Sequence, residues 1–167
     1  MSSRATPGPT ALTPRGRAAV AVSRLATWAS RVSGRGSGGM VGGLVALNLD
    51  PGLMRQLAAG RRTVLVPGTN GKSTTTRMLA AALSTVAPVA SNANGDNMDA
   101  GIVSALGADR TAPLAAIEVD ELHTPAVAEN TAPEAIVLLN LSRDQLDRVG
   151  EINAIERRLR AGVAAQP

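Results

Sequence analysis

Within the stretch VLVPGTNGKSTTTRMLAAAL, Val64 to Leu83, four residues have the types and spacing of an anion cradle. Gly68 and Gly71 let the backbone turn so that successive N–H groups point at one place. A helix starting at that turn adds the positive end of its dipole. Lys72 is the only lysine in a chain with sixteen arginines, and it directly follows Gly71. In that position an ammonium reaches the β- and γ-phosphates of a nucleotide, and the Ser73 hydroxyl coordinates Mg²⁺. The pattern departs from G-x-x-x-x-G-K-[ST] in one place, since Val66 stands where the first glycine would be. Pro67 lacks an N–H but precedes the amides that face the anion, so it does not spoil the cradle.

Further candidates follow two later apolar runs. AIEVDE, Ala116 to Glu121, ends with three carboxylates. Glu118 and Asp120 share one face if the strand continues, and either can supply a carboxylate to a Mg²⁺ held by Ser73. The rival reading is a solvated acidic strand end. Asn140, Asp144 and Asp147 follow the next run; an asparagine positions a phosphate or water, and an aspartate binds a second cation or caps a helix. His123 is the sole histidine, which excludes a multi-histidine metal site. It reads as a polar residue at a helix entrance.

These residues need a scaffold that brings strand ends together, and the chain supplies one. RTVLVP, APVAS, PLAAIEVD and PEAIVLLN read as four strands. KSTTTRMLAAALS, the end of NMDAGIVSALG, HTPAVAEN and EINAIERRLRAG read as the helices that follow them. Thr124 and Pro125 suit the N-cap and first position of the third helix. A Glu156 to Arg160 pair supports the last one. Strand and helix alternating at this spacing predict an α/β fold, a parallel sheet with helices on both faces. Ligands in such sheets bind beyond the carboxyl ends of the strands, where the candidate residues fall.

Ahead of this domain the texture differs. Residues 1–17 are rich in Ser, Thr, Pro and Arg and predict disorder. Ala18 to Ala29 reads as a short amphipathic helix, and Ser33 to Gly43, with its run of glycines, as a loop. The expected division is a basic leader and short helix over 1–32, a glycine-rich loop and lead-in segment over 33–60, and a partial ATPase domain over 61–167. Residues 1–62 carry nine arginines and one acid, a balance of +8; residues 63–167 carry eight basic and twelve acidic residues, a balance of −4. With no cysteine the chain has neither a disulfide nor a cysteine zinc site, and an intracellular setting is the default. One Trp and no Phe or Tyr leave no aromatic platform for stacking bases, so no nucleic-acid partner is expected. No apolar run is long enough to span a membrane.

Taken together, the motifs resemble the Mur ligase family and, within it, the MurT branch. The family marker is GTNGKST, Gly68 to Thr74, in the central ATPase domain. The branch is marked by GGLVALNLDP before the loop, TTTRMLAAAL in its helix, IEVDE on the third strand and NLSRDQLDRVGE after the fourth. In the last of these, Gln145 replaces the histidine of the wider family's DHLD. The resemblance covers about Ser33 to Glu151. It implies ATP binding by Gly68, Thr69, Asn70, Gly71, Lys72, Ser73 and Thr74, with Asn97 and Asn140 on the nucleotide side. It implies Mg²⁺ at Ser73 and Glu118, with Lys72 and Glu118 as the catalytic pair. Ser73 stands where threonine is commoner and keeps the hydroxyl.

The implied activity is that of a cytoplasmic ligase subunit, peripheral to the inner membrane face. It uses ATP to activate the D-glutamate carboxylate of lipid II for amidation to D-isoglutamine in peptidoglycan biosynthesis. A GatD-type glutamine amidotransferase partner supplies the ammonia. The family's zinc ribbon is absent from this sequence, and the expectation is an incomplete central domain on a truncated chain. Two other readings stay open: a nucleotide-binding remnant without catalysis, and another Mur-type ligase that adds an amino acid.

Overall fold

The computed structural model describes residues 10–32, 39–92, 95–141 and 149–164. Four strands, β1 (Arg62–Pro67), β2 (Val89–Ser91), β3 (Leu114–Val119) and β4 (Ala135–Ile136), pair in the order β2-β3-β1-β4. All three pairings are parallel. The helices are α1 (Pro14–Val32), α2 (Gly39–Leu49), α3 (Leu53–Ala58), α4 (Lys72–Ser84), α5 (Asp99–Ala108), α6 (Thr124–Thr131) and α7 (Val149–Ala164).

Right-handed crossovers fix which face each helix takes. The step from β1 to β2 runs one way across the sheet, and the steps to β3 and β4 run back. So α4 covers one face, while α5 and α6 cover the other. Consistent with this, α4 packs on β1, β2 and β3; α3 packs on α5 and α6, α2 on α5, and α1 on α2. The helices on both faces match the sequence expectation. Strand alternation then splits the six buried residues of β3. Ala115, Ile117 and Val119 join Leu53, Leu65, Ile102 and Leu106 in the main core. Leu114, Ala116 and Glu118 point to the opposite face, the one under α4.

Four sequence expectations need correction. The glycine-rich stretch expected as a loop is helical from Gly39 onward, while 33–38 lies outside the described residues. Its glycines serve close packing rather than flexibility. A Cβ on Gly43 would sit 1.8 Å from the Ala100 carbonyl oxygen, and one on Gly42 2.1 Å from Thr27 Oγ1. The expected disordered leader gives way to helix at Pro14, and Thr10 N–H donates to Ala59 O at 3.1 Å; residues 1–9 lie outside the described part. The fourth strand is only two residues long, though its ladder continues irregularly: Val137 N–H bonds Leu65 O at 2.8 Å and Leu139 N–H bonds Pro67 O at 3.1 Å. Finally, β3 stops at Val119, so Asp120 is not on the strand face with Glu118. Its backbone and carboxylate instead form the turn into α6, where Oδ1 accepts from Leu122 N–H at 2.9 Å.

The turn between α5 and β3 joins the two layers. Arg61 is buried, which lowers its guanidinium pKa, and it donates to Leu106 O at 3.1 Å and Asp109 O at 2.7 Å. It thereby satisfies carbonyls at the end of α5. The Asp109 carboxylate accepts from Thr111 Oγ1 at 2.8 Å, Thr111 N–H at 2.9 Å and Ala112 N–H at 3.1 Å. The Thr111 hydroxyl, followed by its amide, holds the Asp109 pKa below the ordinary carboxylate range. A depressed folded-state pKa stabilises above the unfolded value and loses that contribution as pH falls through the folded one. Asp109→Ala should therefore lower the melting temperature near neutral pH, with the gap to wild type closing in acid. A gap constant across the acid range would contradict the assignment.

Candidate nucleotide-binding site

The loop between β1 and α4 takes its shape from its glycines and from a distant arm of the chain. Gly68 has φ +148° and Gly71 φ +85°, and Gly71 is the N-cap of α4. Among the described residues no side chain caps that helix start, so its first amides could serve an anion. The segment after β4 runs alongside the loop. Asn140 O accepts from Thr69 N–H at 2.8 Å. The Asn140 side chain then closes a two-point pair on Asn70: Oδ1 accepts from Asn70 N–H at 3.1 Å and Nδ2 donates to Asn70 O at 2.9 Å. Asn140, expected on the nucleotide side, thus directs its amide to the loop backbone in this structure and holds the cradle in place.

Lys72 opens α4 and folds back on the loop, its Nζ 3.1 Å from Thr69 O. Ser73 follows it on the first turn, half-buried, and Thr74 is exposed. Gly68 through Thr74 therefore run from the turn at the carboxyl end of β1 into the first residues of α4.

Glu118 lies across the sheet from that turn, its backbone in register with Val66 near the end of β1. It is 2% exposed, and among the described residues its Oε2 has no hydrogen-bond partner. Asn97 Nδ2 lies 3.5 Å from Oε1. A buried carboxylate with one oxygen left unpaired among the described residues is costly, and such a group could hold a cation. Among the described residues no cluster of three or more His, Cys, Asp or Glu exists. Mg²⁺ takes one or two protein carboxylates and completes its shell with waters and phosphate oxygens, so a lone carboxylate could serve it.

Sequence reasoning missed the residue that fixes Glu118. Asn92, just past β2 and 4% exposed, accepts from Glu118 N–H at 2.8 Å and donates to Glu118 O at 2.7 Å. Its amide substitutes for one more rung of the β2–β3 ladder. An asparagine directly after a strand was the available signal. Asp99 Oδ1 pairs with His123 Nδ1 at 3.0 Å, so the lone histidine sits at the N-cap of α6 as a polar contact. Thr124, expected as that cap, is the first helical residue instead. Ser142, Asp144, Gln145 and Asp147 lie outside the described residues.

Beside the loop, an apolar cleft of about 520 Å³ opens between the β4 arm and α7. Gly68, Leu138, Leu139 and Asn140 line one side, and Leu159 and Arg160 the other.

Residues 66–160 match the Mur ligase middle domain. The chain is 37% identical over 139 residues to the lipid II isoglutaminyl synthase (glutamine-hydrolyzing) subunit MurT of Staphylococcus aureus (strain COL), covering 81% of this chain and 32% of that one. It is 34% identical over 122 residues to the MurT subunit of Streptococcus pneumoniae, covering 70% and 27%. A UDP-N-acetylmuramate–L-alanine ligase from a Nocardioides species is 38% identical over 92 residues, 55% of this chain and 20% of that one. Among solved structures, MurF from Acinetobacter baumannii superposes with a TM-score of 0.58 at 23% identity, over 71% of this chain and 28% of that one, a likeness of fold. The match spans 32% and 27% of the length of these two MurT relatives. With the middle-domain match covering more than half of its residues, the chain belongs to the Mur ligase family.

Proposed function

We propose that this chain supplies the ATP site of a MurT-type ligase, which activates the D-glutamate carboxylate of lipid II for amidation. The observation that carries the reading is the pairing of an Asn140-pinned glycine loop with a buried carboxylate that lacks a partner on one oxygen. The loop amides and Lys72 receive the phosphates. Ser73 and Glu118 would hold Mg²⁺, which when bound would supply positive charge against the phosphate oxygens. Asn92 and Asn97 orient Glu118, and Asn140 orients the loop. The cleft beside Gly68 gives an apolar wall for the nucleotide's base.

A carboxylate is a poor electrophile until one of its oxygens takes the γ-phosphoryl group of ATP, releasing ADP. Ammonia then attacks the carbonyl carbon, phosphate leaves, and a proton is lost from nitrogen. A GatD-type glutaminase is the proposed ammonia source, in line with the glutamine-hydrolysing synthase named for the MurT relatives. The longer extent of the MurT match favours this reading over an amino-acid-adding ligase.

Calorimetric titration of wild type and Glu118→Gln, each with ATP in the presence of Mg²⁺ and in a chelator, tests the site. The variant should lose affinity for Mg·ATP by about 1.5–3 kcal/mol, the range for hydrogen bonds to charged groups, and little for free ATP. Equal losses in both titrations would remove Glu118 from the metal. The substrate is tested by mixing the chain with lipid II, glutamine, ATP and a GatD-type partner; glutamine-dependent ADP release without amidated lipid II would refute it.

A further inference from the structure

The solvent face of α1 is built the wrong way round for a helix exposed to water. Its inward side carries one larger apolar residue, Val20, among small ones, Gly16, Ala19, Ser23 and Ser30, all buried. Its outward side carries Val22, Leu25, Trp28 and Val32, which are 42%, 63%, 61% and 70% exposed. The other exposed positions on this arc are alanines. Arg17 and Arg24, seven residues apart and both exposed, run along one flank of the stripe, Arg24 also donating to Gly107 O at 3.1 Å at the end of α5. The neighbouring helix α2 has no charged residue and exposes Val41 and Leu44 by 46% and 53%. Burial normally favours the largest apolar side chains, so a face like this marks a docking surface.

We infer that this face of α1 docks on an anionic lipid bilayer. An apolar stripe with an arginine flank and a tryptophan within it has the chemistry of a helix that lies in the membrane interface. From Val22 to Val32 the stripe runs about 15 Å, at roughly 1.5 Å per residue. Charge chooses the occupant. Residues 1–62 carry a balance of +8 against −4 in the remainder. Arg61 is buried and Arg55 and Arg62 pair with Glu129 and Glu134, and the other six arginines still outnumber the single acid, so a negative surface draws this end of the chain toward it. The same charge works against a second copy seated on the stripe, because pairing would bring two +8 segments together. Among the described residues no helix is long and apolar enough to cross a membrane, so the contact is peripheral.

Trp28 is the sole tryptophan, and there is no tyrosine or phenylalanine, so the chain's emission reports on this face alone. The purified chain is mixed, without nucleotide, with vesicles of phosphatidylcholine alone or of phosphatidylcholine mixed with phosphatidylglycerol. The expected result is a blue shift of Trp28 emission and co-flotation with the anionic vesicles only, both weakened by salt. Leu25→Asp should reduce partitioning about tenfold or more. Val32→Asp repeats the test at a second exposed position if circular dichroism shows the first variant misfolded. An emission spectrum unchanged by either vesicle overturns the inference. So does vesicle binding by both variants as tight as wild type, or a blue shift that grows with protein concentration alone as a dimer forms. The inference stands apart from the nucleotide reading: binding is measured without ATP, and either can fail while the other holds.

Discussion

Lys72→Ala is expected to weaken Mg·ATP binding by about 1.5–3 kcal/mol, roughly 10- to 150-fold. Lys72 is the sole cation between Val64 and Thr76, and its ammonium already lies 3.1 Å from Thr69 O, within the turn that would receive the phosphates. Removing it leaves the loop amides and the start of α4, which supply partial charge only. Lys72→Arg should recover little of the loss. A guanidinium is a planar fork that needs more room than the compact ammonium in a turn this tight. Calorimetry decides: equal affinity in wild type and Lys72→Ala would show that the nucleotide, if bound at all, sits elsewhere. An arginine variant as good as wild type would show that charge alone matters here.

Gly68→Ala is expected to damage both stability and binding. The residue sits at φ +148°, where a side chain is strained, at a cost of about 1–3 kcal/mol. Its new methyl would also lie 2.9 Å from Leu139 Cβ and 3.2 Å from both the N and the O of Asn140. These atoms belong to the arm that holds the loop, so relief of the clash pushes the arm away and loosens the bonds to Thr69 and Asn70. Overpacking of this kind costs about 1–3 kcal/mol in addition. Gly71→Ala is the control: its φ is +85°, but the nearest atom, Leu139 Cδ1, is 3.8 Å away, so it carries strain without the clash. Urea denaturation should rank Gly68→Ala below Gly71→Ala. The reverse order would mean that the arm does not press on the loop as described.

The sequence announced the parallel α/β scaffold because β-rich runs and helical stretches alternate from Arg62 onward, and each chemical motif follows a strand. It announced the loop because glycine, lysine and serine appear in the one order that serves a phosphate. It could not say which strands are neighbours: the insertion of β3 between β2 and β1 depends on tertiary pairing, and apolar runs look alike wherever they pair. Gly42 and Gly43 misled for a physical reason. Glycine is costly in an isolated helix, yet here its missing side chain lets α2 approach α1 and α5 at distances no other residue allows. The Asn92 clamp on Glu118 was hidden because an asparagine after a strand reads as an ordinary turn residue.

The Asn70–Asn140 pair spans 70 residues of sequence, and β1 has no neighbour in the sheet until β3 and β4 exist. In kinetic terms the cradle belongs to the slow part of folding. Closing loops of this length is an entropic cost met before the contacts repay it, which places high-contact-order pairings late. A partly folded chain with β1 and α4 formed but the arm undocked has the whole GTNGKST sequence and no organised site. If ATP binds at the proposed site, it therefore has little hold on such an intermediate and cannot speed its passage. Its effect falls after the arm docks, where by mass action it slows the chain's return to the unfolded state.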